Sequence, residues 1–202
     1  MTEQKTDSPI YEAKVITLGD SNVGKTNFIF RFIDDKFSLT YFSTYGIDTK
    51  FKTVTLENGT KIKFKIFDTA GQERFKSISQ NYIKKADGIL LMYDISNKQS
   101  FDNIGNWMQT INDNNSSNKM SVVLVATKCD LIKERVISKE TGEKLAENFG
   151  IHFFETSSKD NINVEKAFYD IAQQIIEKNK GKKIFENNLD LNKKLNKKKE
   201  CC

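Results

Sequence analysis

A phosphate-binding loop is the first pattern in the chain whose residue types and spacing can do chemistry. Residues 19–26 read GDSNVGKT, which fits G-x-x-x-x-G-K-[ST]. An apolar, strand-like run precedes the loop and a helical-looking run follows it, as such a loop requires. Its backbone N–H groups would cradle phosphate oxygens, so we expect the chain to bind a nucleotide. The contacting residues would be Gly19, Asp20, Ser21, Asn22, Val23, Gly24, Lys25 and Thr26.

Hydroxyl and carboxylate oxygens near this loop indicate a magnesium site. The Lys25 ammonium would reach the β- and γ-phosphates, and the Thr26 hydroxyl would bind Mg²⁺. Asp68 follows the predicted strand that ends at Phe67, where a carboxylate can hold Mg²⁺, usually through water. Thr44 lies between these segments in a polar, aromatic stretch and can supply a second hydroxyl. Thr26, Thr44 and Asp68 are therefore the predicted metal-binding residues.

The segment after Asp68 carries the candidate for hydrolysis. Gly71 would let the backbone approach a γ-phosphate, and Gln72 can orient a water for in-line attack. Together with Lys25, Gln72 is the predicted catalytic residue. An intact Gln72 argues against a scaffold that binds GTP with negligible hydrolysis, which stays open as the alternative function.

Two later segments predict guanine as the base. Asp130 offers an acceptor to the two adjacent donors of guanine, whereas adenine would leave the carboxylate unpaired. Asp130, Ser158 and Lys159 also disfavour the alternative functions of a P-loop ATPase or a nucleoside kinase. The stem of Lys128 can pack along the purine, and backbone N–H groups after the last strand can reach guanine O6. The predicted base-site residues are Thr127, Lys128, Asp130, Ser157, Ser158 and Lys159.

Composition favours one soluble domain followed by a basic tail. The chain has 202 residues with 38% hydrophobic and 29% charged residues, and no apolar run long enough to span a membrane. The N-terminus does not resemble a signal peptide. Eight lysines and three acidic residues lie between 180 and 202, so this segment accounts for the net charge of +5. The rest of the chain is formally neutral, which argues against a nucleic-acid partner. The basic tail predicts binding to an acidic surface.

Alternating strand-like and helix-like runs predict an α/β fold. We expect a three-layer fold of the P-loop NTPase type, whose six-stranded sheet is mostly parallel, with one antiparallel strand and helices on both faces. Asn58-Gly59 predicts a hairpin between the second and third strands. The predicted strands are 11–18, 47–56, 61–67, 88–94, 121–127 and 152–155. The predicted helices are 25–33, part of 72–86, 99–112, 139–148 and 164–178, with Ser138 and Gly150 as caps of the fourth.

The motifs together resemble the Rab family of small GTPases within the Ras superfamily. The resemblance runs from Tyr11 to Lys178 and includes all five nucleotide motifs in order. The segments YFSTYGID, from Tyr41 to Asp48, and DTAGQERF, from Asp68 to Phe75, resemble the two Rab switch segments. The resemblance implies a switch in vesicle-mediated membrane trafficking that hydrolyses GTP to GDP, and it places Phe37 against the guanine.

The resemblance also implies partners, an anchor and a location. It implies an exchange factor, a GTPase-activating protein, a GDP-dissociation inhibitor, a prenylation escort, and effectors that bind between Thr40 and Asp48 and between Gln72 and Phe75. It implies prenylation of Cys201 and Cys202, which do not fit the four-residue prenylation box and could otherwise be palmitoylated or unmodified. The protein would then cycle between the cytosol and the cytoplasmic face of an intracellular or plasma membrane.

Some positions depart from the resemblance, and the chain divides into three predicted parts. The departures lie on the surface that partners read, so they leave partner choice open; they are Tyr45, Thr49, Phe67 and Ile83. The predicted parts are a flexible N-terminus at 1–10, a GTPase domain at 11–178 and a disordered tail at 179–202. The tail lysines would attract anionic lipid, with a solvated tail or a nuclear-import signal as alternatives.

Overall fold

The computed structural model describes residues 10–39, 47–69, 81–115 and 119–179. They form a six-stranded sheet with helices packed against it. The strands are β1 Ile10–Leu18, β2 Ile47–Thr55, β3 Lys61–Thr69, β4 Gly88–Asp94, β5 Ser121–Thr127 and β6 His152–Glu155. The helices are α1 Lys25–Asp34, α2 Lys98–Asp102, α3 Ile104–Asn114, α4 Lys139–Phe149 and α5 Val164–Lys178.

The strand order β2-β3-β1-β4-β5-β6 confirms the predicted sheet. Only β2 and β3 pair antiparallel among the named strands; every other neighbouring pair is parallel. Gly59 forms the hairpin between β2 and β3 at a φ of 80°, a conformation that glycine tolerates. From β1 the chain goes to β2 and β3 on one side of the sheet, and it then crosses over from β3 to β4 on the other side of β1. A ligand crevice forms beyond the carboxyl ends of the strands at such a switch point.

Two buried clusters form the core on opposite faces of the sheet. Side chains alternate along β4, so Leu90 and Met92 join one cluster while Leu91 and Tyr93 join the other. The first cluster includes stacked aromatic rings from α1 and α5, with Phe32 and Phe168 only 3.7 Å apart at their centroids. The second cluster packs under α3 and α4. Burial on both faces explains the continuous apolar strands and confirms the three layers.

The third predicted helix, 99–112, is wrong as a single element. The structure has α2 and α3 in its place, joined at Asn103, and helical structure starts at Lys98 because Asn97 caps it by accepting from Ser100 N. The Asn103 side chain donates to a carboxylate of the phosphate loop, which draws the junction toward that loop. The other elements with named bounds match the prediction to within two residues, and β3 runs on to Thr69.

The predicted caps of α4 are confirmed, and the second predicted helix is only partly described. Ser138 Oγ accepts from Thr141 N at 3.2 Å, and Gly150 ends the helix at a φ of 64°. Of the predicted helix within 72–86, residues 81–83 are helical, and 72–80 lie outside the described residues.

Candidate nucleotide-binding site

The loop between β1 and α1 adopts a conformation that its glycines allow. Gly19 has a φ of 140°, and a Cβ atom there would lie 2.1 Å from the Met92 carbonyl oxygen. Gly24 has a φ of 97° and Asn22 a φ of 65°, both in the left-handed region. The close approach of Gly19 to β4 lets the loop turn over the end of the sheet. The predicted phosphate cradle is therefore built by backbone geometry as much as by side chains.

Lys25 is buried beneath this loop and is held by its carbonyl groups. Its Nζ donates to Gly19 O at 2.9 Å and to Asp20 O at 2.7 Å, and only 5% of the residue is exposed. Burial lowers the pKa of Lys25 to about 8, although the nearby carboxylates of Asp68 and Asp20 act in the opposite direction. An anion bound in the loop would stabilise this desolvated cation, which suits a phosphate.

A hydroxyl and a carboxylate meet at the first turn of α1. Thr26 Oγ1 donates to Asp68 Oδ2 at 2.7 Å. The other carboxylate oxygen, Oδ1, is buried and has no hydrogen-bond partner among the residues described. Burial raises the pKa of Asp68, against the opposing hydrogen bond from Thr26 and the charge of Lys25. A buried oxygen without a partner, beside a hydroxyl, is a donor set that a hard cation such as Mg²⁺ can use.

The ends of β1 and β3 are tied together near Asp68. Thr69 Oγ1 donates to Thr17 O at 2.7 Å, and Thr17 Oγ1 donates to Phe67 O at 3.3 Å. Both residues are buried, so these side-chain bonds reinforce the backbone ladder at the carboxyl edge. Asp68 is thereby held in register with the phosphate loop.

A cavity of about 410 Å³ opens next to the loop, and it holds the predicted base site. Asp130 lines this cavity, and its Oδ1 accepts from Ser157 Oγ at 2.6 Å. Ser157 Oγ also accepts from Asp160 N at 3.0 Å, which orients the hydroxyl toward the carboxylate. The lining residues are Asn22, Gly24, Asn27, Phe37, Ser38, Leu39, Thr127, Lys128, Asp130, Leu131, Ser158 and Lys159.

Thr127 and Lys128 connect the base cavity to the phosphate loop. Thr127 Oγ1 lies 2.6 Å from Val23 O and 2.9 Å from Tyr93 O, both within hydrogen-bonding distance. Lys128 Nζ forms an ion pair with Asp94 at 2.6 Å and donates to Asn22 O at 2.9 Å. These contacts tie the phosphate loop to the carboxyl ends of β4 and β5.

Sequence reasoning missed several residues that support the site. Arg31 donates through Nε to Ser158 O at 2.6 Å and through Nη2 to Lys159 O at 3.2 Å, which holds the loop after β6 on α1. Asp94, the acidic partner of Lys128, ends a predicted strand, and that position was an available signal. For the contacts of Arg31 with Ser158 and Lys159 the sequence holds no signal, because these partners lie more than a hundred residues away.

Asp20 acts differently from the other residues of the loop. Its carbonyl faces Lys25, but its carboxylate accepts from Asn103 Nδ2 at 2.6 Å and from Trp107 Nε1 at 2.9 Å. Asp20 thus joins the phosphate loop to α3 through its side chain.

The structure brings most of the predicted site residues to one edge of the sheet. The loop residues, Asp68 and the base-site residues lie at the carboxyl ends of β1, β3, β5 and β6, and Phe37 lines the base cavity. The predicted residues that lie outside the described part of the chain are Thr44, Gly71, Gln72, Cys201 and Cys202. Their placement stays a prediction.

A glycine-rich loop over a buried lysine, joined to a base cavity with a carboxylate at its end, defines a P-loop nucleotide-binding protein. A family model described as the Ras family matches residues 14–177. The chain is 50% identical over 179 residues to Ras-related protein Rab-8 from Diplobatis ommata, covering 89% of this chain and 84% of that protein. It is 50% identical over 165 residues to Rab-10 from Caenorhabditis elegans, covering 82% and 81%.

A third relative, Rab-8A from Bos taurus, is 51% identical over 165 residues, covering 82% of this chain and 79% of that protein. The chain belongs to the Ras family and, within it, to the Rab small GTPases. It is therefore a GTP hydrolase and a GTP-regulated switch in vesicle trafficking, which acts through regulators and effectors. The fold, the family and the activity predicted from the sequence are confirmed.

Proposed function

We propose that the described site binds GTP and GDP through two rigidly linked halves. The loop from Gly19 to Thr26 holds the phosphates, and the Lys25 ammonium neutralises them, as its burial beneath the loop and its carbonyl contacts support. Asp130 accepts from the guanine edge, and Ser157 keeps its carboxylate oriented. Phe37 and Lys128 border the purine, while the backbone of Ser158 and Lys159 meets O6. The observation that carries this proposal is the cavity that joins Asp130 to the phosphate loop.

The donor set fits magnesium, which we include in the proposal. Thr26 and Asp68 already lie within hydrogen-bonding distance, and the unpartnered Asp68 oxygen is available for a hydrated cation. Thr44 would complete the protein ligands. When bound, Mg²⁺ neutralises charge that develops on the β- and γ-phosphate oxygens.

Hydrolysis is assigned to Lys25 and Gln72, and an external activator is expected to accelerate it. Gln72 would position the attacking water, with Gly71 allowing the backbone close to the γ-phosphate. Among the described residues, the two arginines have other roles, because Arg31 holds the 158–159 backbone and Arg135 pairs with Glu155. Intrinsic turnover should therefore be slow, and a GTPase-activating protein should raise it by about three to five orders of magnitude.

We further propose the following partners and division of the chain. An exchange factor, an activating protein, a GDP-dissociation inhibitor and a prenylation escort would act on the domain at 11–178. Effectors would bind between Thr40 and Asp48 and between Gln72 and Phe75, in the GTP form. No nucleic-acid partner is proposed, because the body is formally neutral.

The anchor would be lipid attached to Cys201 and Cys202 in the segment 179–202. No helix among the described residues combines the length and apolar composition needed to cross a bilayer. Two lipid chains meet the two-signal requirement for stable anchoring, and the basic tail would add attraction to anionic lipid. The protein would reside on the cytoplasmic face of an intracellular or plasma membrane and cycle with the cytosol.

Single-turnover release of phosphate tests the assigned hydrolysis. The purified chain loaded with GTP should release phosphate slowly, faster with cell extract, and more slowly still as Gln72→Leu. Unchanged kinetics in Gln72→Leu would remove Gln72 from the mechanism. Absence of release with and without extract would favour a GTP-binding scaffold.

Membrane fractionation tests the anchor separately. A chain in which Cys201 and Cys202 are both replaced by Ser should move from the membrane pellet to the soluble fraction of cells. Continued pelleting of that variant would show that another anchor dominates.

A further inference from the structure

Lysines gather at the end of the sheet opposite the nucleotide. The residues just before β4 and β5 lie at the amino edge, because both strands run parallel toward the nucleotide at their carboxyl ends. A depression of about 490 Å³ lies there and is lined by Lys84, Lys85 and Lys119, with Asp87 and Asp113 as its acidic residues. Its floor is polar rather than apolar, so a charged partner suits it.

Two more lysines border the same depression. The Asp87 carboxylate accepts from Lys14 N at 2.9 Å, and Asp87 N donates to Lys14 O at 2.8 Å, which places β1 beside it. Lys178, in the last turn of α5, donates from Nζ to Met120 O at 2.7 Å. We name this surface the lysine edge; it consists of Lys14, Lys84, Lys85, Lys119 and Lys178, all exposed.

The lysine edge adjoins the segment that carries the excess charge of the chain. Helix α5 ends at Lys178, which touches the residue that precedes β5, so the chain leaves the described domain at this edge. The following residues, 180 to 202, hold eight lysines against three acidic residues. Positive charge is therefore continuous from the domain surface into the tail, although the body as a whole is formally neutral.

We propose that the lysine edge docks directly onto an anionic lipid membrane, so that the domain rests on the bilayer in one orientation. This inference rests on the proposed lipid anchoring at Cys201 and Cys202. A membrane is the occupant that the charges favour, because hydrated lysine ammonium groups on an exposed edge match a layer of lipid phosphates and carboxylates. Docking there leaves the opposite edge, with the nucleotide, facing away from the bilayer and accessible to regulators.

Vesicle binding by matched variants tests the orientation. The full-length, unlipidated chain loaded with GDP is sedimented with vesicles of equal parts phosphatidylcholine and phosphatidylserine, and with phosphatidylcholine alone. The edge variant replaces Lys84, Lys85 and Lys119 by Gln. A lysine near an anionic surface contributes about five-fold to binding, so this variant should bind on the order of 100-fold more weakly.

The control variant makes the same change in net charge away from the lysine edge. It replaces the exposed residues Lys133, Lys144 and Lys166 by Gln and should bind like the wild-type chain. Amide hydrogen exchange supplies a second readout, in which anionic vesicles should slow exchange at 84–87 and 119–121 but not at 130–135.

Three results would overturn the docking surface. Equal losses in the edge and control variants would show that only net charge matters. In a second result, the edge variant binds vesicles like the wild-type chain, but a variant with Gln at tail lysines 193, 194 and 197–199 loses vesicle binding. That result would assign membrane binding to the tail alone, without contradicting the proposed lipid anchor. If the wild-type chain does not bind anionic vesicles, the proposed attraction between the lysine edge and the membrane is wrong. The lipid anchor is tested independently by fractionation of the Cys201 and Cys202 variant.

Discussion

The bridge between the phosphate loop and α3 leads to a quantitative prediction. The Asp20 carboxylate accepts from Trp107 Nε1 at 2.9 Å and from Asn103 Nδ2 at 2.6 Å, and Trp107 is only 9% exposed. A hydrogen bond to a charged group contributes about 1.5–3 kcal/mol, and a buried donor left without its partner costs about 1–3 kcal/mol. Asp20→Ala should therefore lower the free energy of unfolding by about 2–4 kcal/mol.

A double-mutant cycle isolates the bond between Asp20 and Trp107. Trp107→Phe removes the indole N–H and keeps an aromatic ring, so the two changes should be non-additive by about 1.5–3 kcal/mol. Unfolding by urea is followed by circular dichroism, because Trp107 is the one tryptophan in the chain and its fluorescence is lost. Additivity to within about 0.5 kcal/mol would refute the coupling.

The matched control and a functional readout accompany this cycle. Asp34→Ala removes a carboxylate from an exposed position at the end of α1 and should be additive with Trp107→Phe. The Asp20 carbonyl also accepts from Lys25, so losing the side-chain bridge should disturb the phosphate loop. The Asp20→Ala variant should therefore release GDP faster, by roughly ten-fold for each 1.4 kcal/mol of binding free energy lost. Unchanged GDP release would show that the bridge serves stability alone.

Two further predictions concern the loop itself. Gly19→Ala should destabilise the fold by about 2 kcal/mol or more, because its Cβ would lie 2.1 Å from Met92 O. As a control, Gly105→Ala has open space around its Cβ in α3 and should be neutral or stabilising by up to about 1 kcal/mol. Equal denaturation midpoints for the two variants would contradict this prediction. Burial lowers the pKa of Lys25 from 10.5 to about 8, so between these pH values the unfolded chain binds a proton that the folded chain has lost. In protein stripped of nucleotide, the free energy of unfolding should rise over that range relative to Lys25→Met, and a constant difference would show that folding does not lower the pKa of Lys25.

Much of the site could be predicted because its signals are local. The spacing of Gly19, Gly24 and Lys25 already encodes the loop, since the backbone conformation and the helix that follows depend on neighbouring residues. Apolar runs identified β4 and β5, because strands buried on both faces carry no polar interruptions, whereas Asn58-Gly59 marked the hairpin between β2 and β3. Asp68 and Asp130 were found because each follows a predicted strand, Asp68 directly and Asp130 as the third residue after it.

The supporting contacts could not be predicted, because they depend on which strands become neighbours. The contact between Thr127 and Val23 and the bond from Arg31 to Ser158 join segments more than a hundred residues apart. The break at Asn103 was missed for the same reason. Apolar periodicity continues through α2 and α3, and the junction is drawn to Asp20 by a tertiary hydrogen bond.

Nucleotide competition tests the central claim, a guanine-specific site, most directly. Bound fluorescent GDP is displaced from the wild-type chain and from Asp130→Ala by GTP and by ATP. A site built to pair with the donors of guanine should favour GTP over ATP by on the order of 10⁴ in the wild-type chain, and Asp130→Ala should lose most of that preference. Displacement of GDP by ATP and GTP at similar concentrations would contradict the assignment of the cavity to guanine.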